Sequence, residues 1–224
     1  MPPDPGNLLF DWDPTWDPIR DRVAGIGLTK AGDAQLANGN NGLLGLLVSG
    51  SGALLGRALF SSVDDLSGDR FTVYVVCEFT GAGTTVFRSV WGMGDDSASA
   101  NQQEAVSIYM IESSNATVVN SADEAGAQFD VGGIQTRDTV QVLHADVSIS
   151  GSLIMNLDGA TGGGTALTAT PHTPENMDKM AIGTGYTFAN NGTSPETLGT
   201  GWVGYVHRVL IYRGAFNAAV VAAA

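Results

Sequence analysis

The chain has little cysteine and little positive charge. Cys77 is the only cysteine among 224 residues, which excludes an internal disulfide framework and a thiolate metal cluster. Lysine and arginine number 10 against 23 acidic residues, so the formal net charge is −13. Because such a surface repels phosphate backbones, we expect no direct binding of nucleic acid.

Several motifs of catalysis, metal binding and membrane insertion are also missing. His144, His172 and His207 lie far apart, so no H-x-H or H-E-x-x-H spacing exists, and G-x-S-x-G is absent. The most apolar stretch, Leu43 to Phe60, contains several Gly and Ser residues and Arg57. It is also shorter than the ~20 residues of a typical transmembrane helix. We interpret it as a pair of buried strands and expect no membrane insertion.

The N-terminus, MPPDPGNLLFDWD, carries acids and prolines where a secretion signal would carry basic and then apolar residues. No secretion signal is therefore predicted. Residues 1–25 are interpreted as an irregular N-terminal arm, in which Asp17 as an N-cap predicts a short helix over Ile19 to Ala24. Trp12 and Trp16 in this arm are candidates for assembly contacts with a neighbouring molecule or with the chain's own domain.

The rest of the chain is a series of short segments with strand character. Phe71 to Phe79 alternates apolar and polar residues most clearly, and Cys77 on its apolar phase is predicted to be a small buried hydrophobe. The apolar phase shifts within Thr139 to Ile149, which predicts a β-bulge or burial on both sides. Thr117 to Val119 is predicted to be an edge strand, and Ser121 to Gly133 a loop. Further strands are predicted at Val86–Trp91, Ala105–Ile111, Leu153–Leu157 and the run KMAIGTG.

The stretch from Gly201 to Phe216 is apolar on both alternation phases. A strand of this kind lies inside a sheet that is covered on both faces. After it, Asn217 is a candidate cap for a short C-terminal helix. Residues 26–224 are accordingly predicted to form one all-β domain, since domains of this size commonly form a single unit.

Four of these segments carry a family resemblance: FTVYVVCEF, VSISGSLIMNLDG with its Asp-Gly turn, MAIGTG, and GWVGYVHRVLIYRGAF with its small helical tail. Their order resembles the laminin G-like (pentraxin-like) branch of the concanavalin A-like lectin/glucanase superfamily. The resemblance covers about two-thirds of the chain. It implies a two-sheet antiparallel jelly-roll β-sandwich.

Some members of that superfamily are glycosidases that place two acids at alternate positions of one strand. This chain has no E-x-D-x-x-E or E-x-D-x-E run, so we expect a protein without catalytic activity. Other members bind sugar or calcium in rim loops. The corresponding candidates are Asp95 and Asp96, which are also the possible calcium ligands, together with Trp91, Asn101, Tyr186, Asn190 and Asn191. The alternative is that these residues simply form turns. No cofactor other than calcium is expected.

The expected function is a lectin-like adhesion or structural module at the surface of a phage or phage-like virion, as a head decoration or a fibre or spike subunit. A chain that begins at Met1 without a secretion signal, yet has an extracellular type of fold, suggests synthesis in the host cytoplasm and exposure after assembly. The expected partners are other virion or capsid proteins and sister subunits in a homo-oligomer, with host surface glycans as candidate ligands. The alternatives are a free bacterial lectin, secreted or at the cell surface, and a polysaccharide-cleaving glycosidase.

Overall fold

In the computed structural model, the chain forms two large antiparallel sheets that enclose one hydrophobic core, with a short helix at the C-terminus. The structure describes residues 5–50, 52–57, 70–81, 87–94, 105–123, 126–148, 152–158, 160–161, 165–166, 179–184, 186–187, 197–198, 201–215 and 217–223.

The elements follow one another along the chain with short connections. They are β1 (Leu8–Trp12), β2 (Leu28–Ala31), β3 (Gln35–Asn38), β4 (Leu44–Ser49), β5 (Ala53–Arg57), β6 (Arg70–Phe79), β7 (Phe87–Gly94), β8 (Ala105–Ile111), β9 (Ala116–Asp123), β10 (Gly126–Ile134), β11 (Val140–Ser148), β12 (Ser152–Leu157), β13 (Ala160–Thr161), β14 (Thr165–Ala166), β15 (Lys179–Ile182), β16 (Tyr186–Thr187), β17 (Thr197–Leu198), β18 (Val203–Arg213) and α1 (Ala218–Ala223).

The first sheet is built around β18. Its strand order is β13-β12-β11-β6-β18-β4-β3, and β1 and β14 add to β18 and β12 respectively. One side of β18 pairs with β6, while its other side pairs with β4 near Val203 and with β1 near Tyr212. The pairing with β6 shifts between Val206 and Arg208, so both phases of the strand find cover. The predicted buried strand in this region is confirmed.

The second sheet has the order β10-β9-β8-β7-β15-β5-β2. Its inward side chains meet those of the first sheet in a core that contains Trp12, Trp91 and Trp202, each fully buried. Cys77 lies in the same core, and burial raises the pKa of its thiol far above the ordinary value. The prediction of a β-sandwich is therefore confirmed, as is that of a buried cysteine.

Two strand predictions were wrong. Thr117 to Val119 is not an edge, because β9 pairs with β8 on one side and β10 on the other. Ser121 to Gly133 is not a loop, because it completes β9 and forms most of β10. Its small and polar residues are weak strand formers, but neighbouring strands satisfy their backbone groups, and that pairing outweighs propensity.

Strand β11 also resolves an alternative. It keeps an unbroken register with β6 from Val140 opposite Glu78 to Ser148 opposite Arg70, so no bulge interrupts this pair. The phase shift reflects burial on both faces: Ala145 lies in the core, and His144 on the other face is also fully buried.

The interpretation of residues 1–25 as an irregular arm was wrong. Strand β1 belongs to the first sheet, and Phe10 and Trp12 are fully buried in the core. The predicted helix over Ile19 to Ala24 does not form. Instead the buried Asp21 carboxylate accepts hydrogen bonds from three backbone N–H groups, those of Val23, Ala24 and Ile26. These bonds close a tight turn where a helix would need its own i to i−4 bonds.

The predicted C-terminal helix is present as α1. Its Asn217 side chain accepts the backbone N–H of Ala219, and Val220 packs with Tyr74 and Leu210 on the outward face of the first sheet. This part of the first sheet is therefore covered on both sides. None of the helices in the described ranges is long and apolar enough to cross a membrane.

Candidate functional site

The outward face of the second sheet carries two rows of side chains that run across β7, β8, β9 and β10. Strand register fixes both rows, because residues paired across neighbouring antiparallel strands project to the same face. One row is Phe87, Ile111, Ala116 and Ile134, and the other is Ser89, Tyr109, Val118 and Val131.

Large apolar side chains in these rows remain open to solvent. Ile134 is 70% exposed, Phe87 56% and Val131 43%. Tyr109 and Ile111 lie between them and are partly exposed. We call these five residues the apolar ladder. Single exposed hydrophobic residues are ordinary, but a contiguous group on one sheet face marks a binding surface.

Two β-bulges aim the ladder. In β7 the register shifts between Ser89 and Trp91, which sends Phe87 outward while Trp91 points into the core. In β10 the register shifts between Val131 and Ile134, so both side chains project outward. Bulges of this kind commonly re-aim side chains beside functional surfaces.

Tyr109 supports the exposed ring of Phe87. The two rings meet edge to face, with centroids 5.4 Å apart and an interplanar angle of 88°. This arrangement suits the ring quadrupoles and holds Phe87 with one face free. Burial raises the pKa of Tyr109, so its hydroxyl stays protonated and able to donate near neutral pH.

A polar rim borders the first row of the ladder at the end of the sheet. It consists of Ser113, Ser114 and Asn115 in the turn between β8 and β9, and Thr136 after β10. Ser113, Ser114 and Thr136 are exposed. Asn115 adopts a left-handed backbone conformation with φ of 54°, and its Oδ1 accepts a hydrogen bond from Arg137 Nε at 3.1 Å. The ladder therefore has hydroxyl and amide groups at its margin.

The nearest arginines are held inside the sandwich. Arg88 Nε lies 3.0 Å from Glu112 Oε2, and the Glu112 side chain is only 1% exposed. Arg137 donates to the backbone carbonyl of Glu112 at 3.0 Å, and its guanidinium lies 5.0 Å from the ring centroid of Phe79. These contacts close one end of the core and leave the ladder itself uncharged.

A second polar cluster lies on the first sheet. The buried Glu78 carboxylate accepts the side-chain N–H of Asn40 at 2.5 Å, and His207 Nε2 lies 3.8 Å from Glu78 Oε2. His207 Nδ1 is 3.1 Å from the carbonyl oxygen of Leu44. A Cβ atom at Gly39 would lie 2.8 Å from Glu78 Oε2, so the cluster is tightly packed. These contacts fasten the β3–β4 hairpin to β6 and β18.

The structure changes the standing of several predicted site residues. Trp91 cannot stack on a ligand, because it is fully buried in the core. Tyr186 begins β16, which lies against β7 and β8, and this brings it towards the strands of the ladder. The remaining predicted residues of the rim loops, Asp95, Asp96, Asn101, Asn190 and Asn191, lie outside the described residues.

Two other sets of candidates are clarified. Trp12 is unavailable for assembly because it is buried in its own domain, whereas Trp16 is 52% exposed. Within the described part of the chain, no group of three or more His, Cys, Asp and Glu side chains is arranged to hold a metal ion. His144 is fully buried, and desolvation lowers its pKa to about 4, which favours the neutral ring.

The apolar ladder was missed from sequence because the search concentrated on loops. A signal was nevertheless present in β8, where Tyr109 and Ile111 stand on the phase opposite the core residues Ile108 and Met110. Large apolar residues on an outward phase indicate a covered or a ligand-binding face. Phe87 could not be placed, because the bulge in β7 reverses the apparent phase between it and Trp91.

Comparisons with known proteins agree on the fold. No protein-family model matches the chain, and no curated protein matches it in sequence. Among solved structures, domain 4 of AbnA, a GH43 extracellular arabinanase from Geobacillus stearothermophilus, in complex with arabinotriose, aligns with a TM-score of 0.64 at 13% identity, covering 96% of both chains.

Botulinum neurotoxin structures align as well. One concerns neurotoxin type C, whose cell entry depends on interaction with two ganglioside molecules; it has a TM-score of 0.64 at 10% identity and 95% coverage of this chain. Another is the binding domain of neurotoxin DC in complex with rat synaptotagmin II, with a TM-score of 0.65 at 9% identity and 96% coverage. The chain spans 49% and 50% of those two structures. At these identities the likeness shows the β-sandwich fold.

Proposed function

We propose that this chain is a non-catalytic carbohydrate-binding domain of the concanavalin A-like type, and that the apolar ladder is its sugar-binding surface. The observation that carries this proposal is Phe87, whose ring is 56% exposed on an open sheet face and is supported edge-on by Tyr109. An aromatic ring held in this way offers a flat apolar surface to a ligand.

The chemistry of a pyranose or furanose ring fits this surface. Its C–H groups form an apolar face that packs on the Phe87 ring, while its hydroxyl groups point outward in the plane. The hydroxyls of Ser113, Ser114 and Thr136 lie at the margin of the ladder, where they are available to exchange hydrogen bonds with sugar hydroxyls. The fold neighbours that were solved with arabinotriose or named with gangliosides add support.

The absence of catalysis is part of the proposal. Two buried glutamates of the described strands and turns, Glu78 and Glu112, are engaged by Asn40 and Arg88 respectively. They lie on different sheets, whereas glycoside hydrolysis needs two carboxyl groups flanking one bond at a separation of about 5 to 10 Å. The described ladder itself carries no carboxylate.

The decisive experiment measures glycan binding by Phe87→Ala against the unmodified chain. A glycan array identifies a ligand, and titration calorimetry then gives its affinity. We expect Phe87→Ala to weaken binding at least about tenfold, which corresponds to about 1.4 kcal/mol. Leu36→Ala is the matched control, because Leu36 is 43% exposed on β3 of the other sheet. This control should bind as well as the unmodified chain.

Two outcomes would contradict the proposal. The first is failure of the chain to bind any glycan on the array. The second is a Phe87→Ala variant that binds normally but changes oligomeric state in light scattering, which would identify the ladder as an interface between copies of the chain. Adding a chelator to the titration tests the separate proposal that calcium binds at Asp95 and Asp96.

We also propose that the domain is displayed on a phage or phage-like particle, as part of a homo-oligomer. The observation that favours an assembly contact is the exposed apolar segment between β1 and β2, where Trp16 is 52%, Ile19 56% and Val23 46% exposed. Mass spectrometry of purified particles tests this location. Its detection only as a free secreted protein would instead favour the alternative of a bacterial lectin.

A further inference from the structure

We infer that the apolar ladder selects uncharged glycans and discriminates against glycans that carry carboxylate or sulfate groups. This inference rests on the proposed function, because it assigns the ligand class of the same surface. It is carried by the composition of the two outward rows, by the engagement of the nearest arginines and by the charge of the whole chain.

The outward rows contain no charged side chain. All eight positions are apolar residues, serine or tyrosine: Phe87, Ile111, Ala116, Ile134, Ser89, Tyr109, Val118 and Val131. A carboxylate or sulfate that leaves water needs charge-assisted hydrogen bonds from Arg, Lys or several N–H groups. The ladder offers hydroxyl groups at its margin, which suffice for sugar hydroxyls but not for an anion.

The neighbouring cations are committed or distant. Arg88 pairs with buried Glu112, and Arg137 bonds to Asn115 and lies over Phe79. Lys179 is paired with Gly94, which stands opposite Ala105. Because Ala105 is four residues from Tyr109, this row lies about 13 Å along the strands from the second row of the ladder. That separation exceeds the Debye length at physiological salt, which is about 8 Å.

The charge of the whole chain acts in the same direction. With a formal net charge of −13, the molecule repels anionic ligands on approach. The two kinds of ligand named for the fold neighbours differ in this respect, because a ganglioside is an anionic glycolipid and arabinotriose is an uncharged trisaccharide. The ladder has the composition expected for an uncharged ligand.

The test uses pairs of oligosaccharides that differ only in charge, such as galactotriose and trigalacturonate, together with arabinotriose as a further neutral probe. We expect the neutral member of a pair to bind at least about tenfold more tightly at 20 mM NaCl. The affinity for neutral probes should be insensitive to salt. The difference should narrow at 500 mM NaCl, because screening removes the long-range repulsion.

A gain-of-function variant locates the effect. Ala116→Lys places a cation between Ile111 and Ile134 and should increase binding of the acidic probe severalfold. Ala218→Lys is the matched control, since it adds the same charge on α1, which packs on the first sheet. Thr136→Lys, at the exposed rim, serves as a second test in case Ala116→Lys is poorly folded by circular dichroism.

The outcomes separate this inference from the proposed function. Tighter binding of acidic than neutral probes by the unmodified chain would overturn the inference and leave the glycan-binding function standing. Equal gains from Ala116→Lys and Ala218→Lys would also overturn it, because net charge alone would then explain the selectivity. If no probe and no array glycan binds, the proposed function itself fails.

Discussion

Gly204 shows how one residue fixes the path of β18 at its entry to the first sheet. Its φ is +142°, a conformation that side chains of L-amino acids rarely adopt, and a Cβ atom there would lie 2.0 Å from the carbonyl oxygen of Glu78. The neighbouring strand is part of the sheet and cannot move away without breaking its ladder. Glycine at this position is therefore required by close approach of two backbones.

We expect Gly204→Ala to lower the free energy of unfolding by about 2 to 5 kcal/mol, because it combines backbone strain with overpacking. Urea denaturation measures the change. Gly27→Ala is the control, since a Cβ at Gly27 meets nothing within 4 Å, and it should change stability by less than about 0.5 kcal/mol. A Gly204→Ala variant as stable as this control would contradict the close approach.

His144 gives the domain a defined pH dependence. Its pKa is about 4 in the folded chain, lowered mainly by burial, against an ordinary value of 6.5. Since the folded state binds its proton less readily, the unfolded state gains protons first as the pH falls. The contribution of His144 is therefore fully present above pH 6.5 and is lost between pH 6.5 and pH 4, by about 3 kcal/mol in total.

We expect His144→Gln to remove this contribution to the pH dependence. Urea denaturation of both proteins at intervals from pH 8 to pH 4 measures it. The difference in stability between them should be constant above pH 7 and should shift in favour of the variant as the pH falls towards 4. Parallel curves across the whole range would show that His144 titrates normally in the folded chain.

At the scale of elements, β1 converts an N-terminal segment into part of the core. It pairs with β18, and it carries Phe10 and Trp12 into the interior. Between them Asp11 lies on the outward face, where its carboxylate bonds to Arg208 Nε at 3.1 Å and also engages Arg22. Those bonds and the desolvation of the guanidinium act on the pKa of Arg208, with a net increase.

We expect deletion of residues 1–12 to prevent stable folding, because the loss of two large aromatic side chains alone costs at least about 6 kcal/mol. Deletion of residues 1–6 is the control and should leave the melting temperature within a few degrees of that of the unmodified chain. Near-ultraviolet circular dichroism and thermal melting compare the two. A folded and stable Δ1–12 chain would mean that the sheet closes without β1.

At the scale of the whole molecule, charge opposes compactness. A formal net charge of −13 produces repulsion among surface groups that salt screens. We expect the melting temperature to rise by a few degrees between 10 and 500 mM NaCl, measured by differential scanning calorimetry with sucrose of equal osmolarity as the control. A fall with NaCl alone would indicate that local ion pairs such as Arg88 with Glu112 dominate over net repulsion.

The predicted strands show where sequence was sufficient. Phe71 to Phe79 and Gly201 to Phe216 were identified by apolar periodicity, because a side chain that must leave water imposes its spacing on the sequence. β9 and β10 were missed in part, since their Ser, Ala, Gly and Asp residues carry little hydrophobic signal. Their strand conformation comes from hydrogen bonds to neighbouring strands, which are distant in sequence.

The sequence by itself determined that this chain is an all-β sandwich with a buried cysteine, a doubly covered β18 and a short C-terminal helix. Those features follow from local periodicity and burial. Only the tertiary structure decided that β1 joins the core and that Trp91 is buried. It alone also aligned Phe87, Tyr109 and Ile134 on one face. The physical reason is strand register: bulges and pairings between distant segments decide which face each side chain occupies, and a single chain read in order does not contain that information.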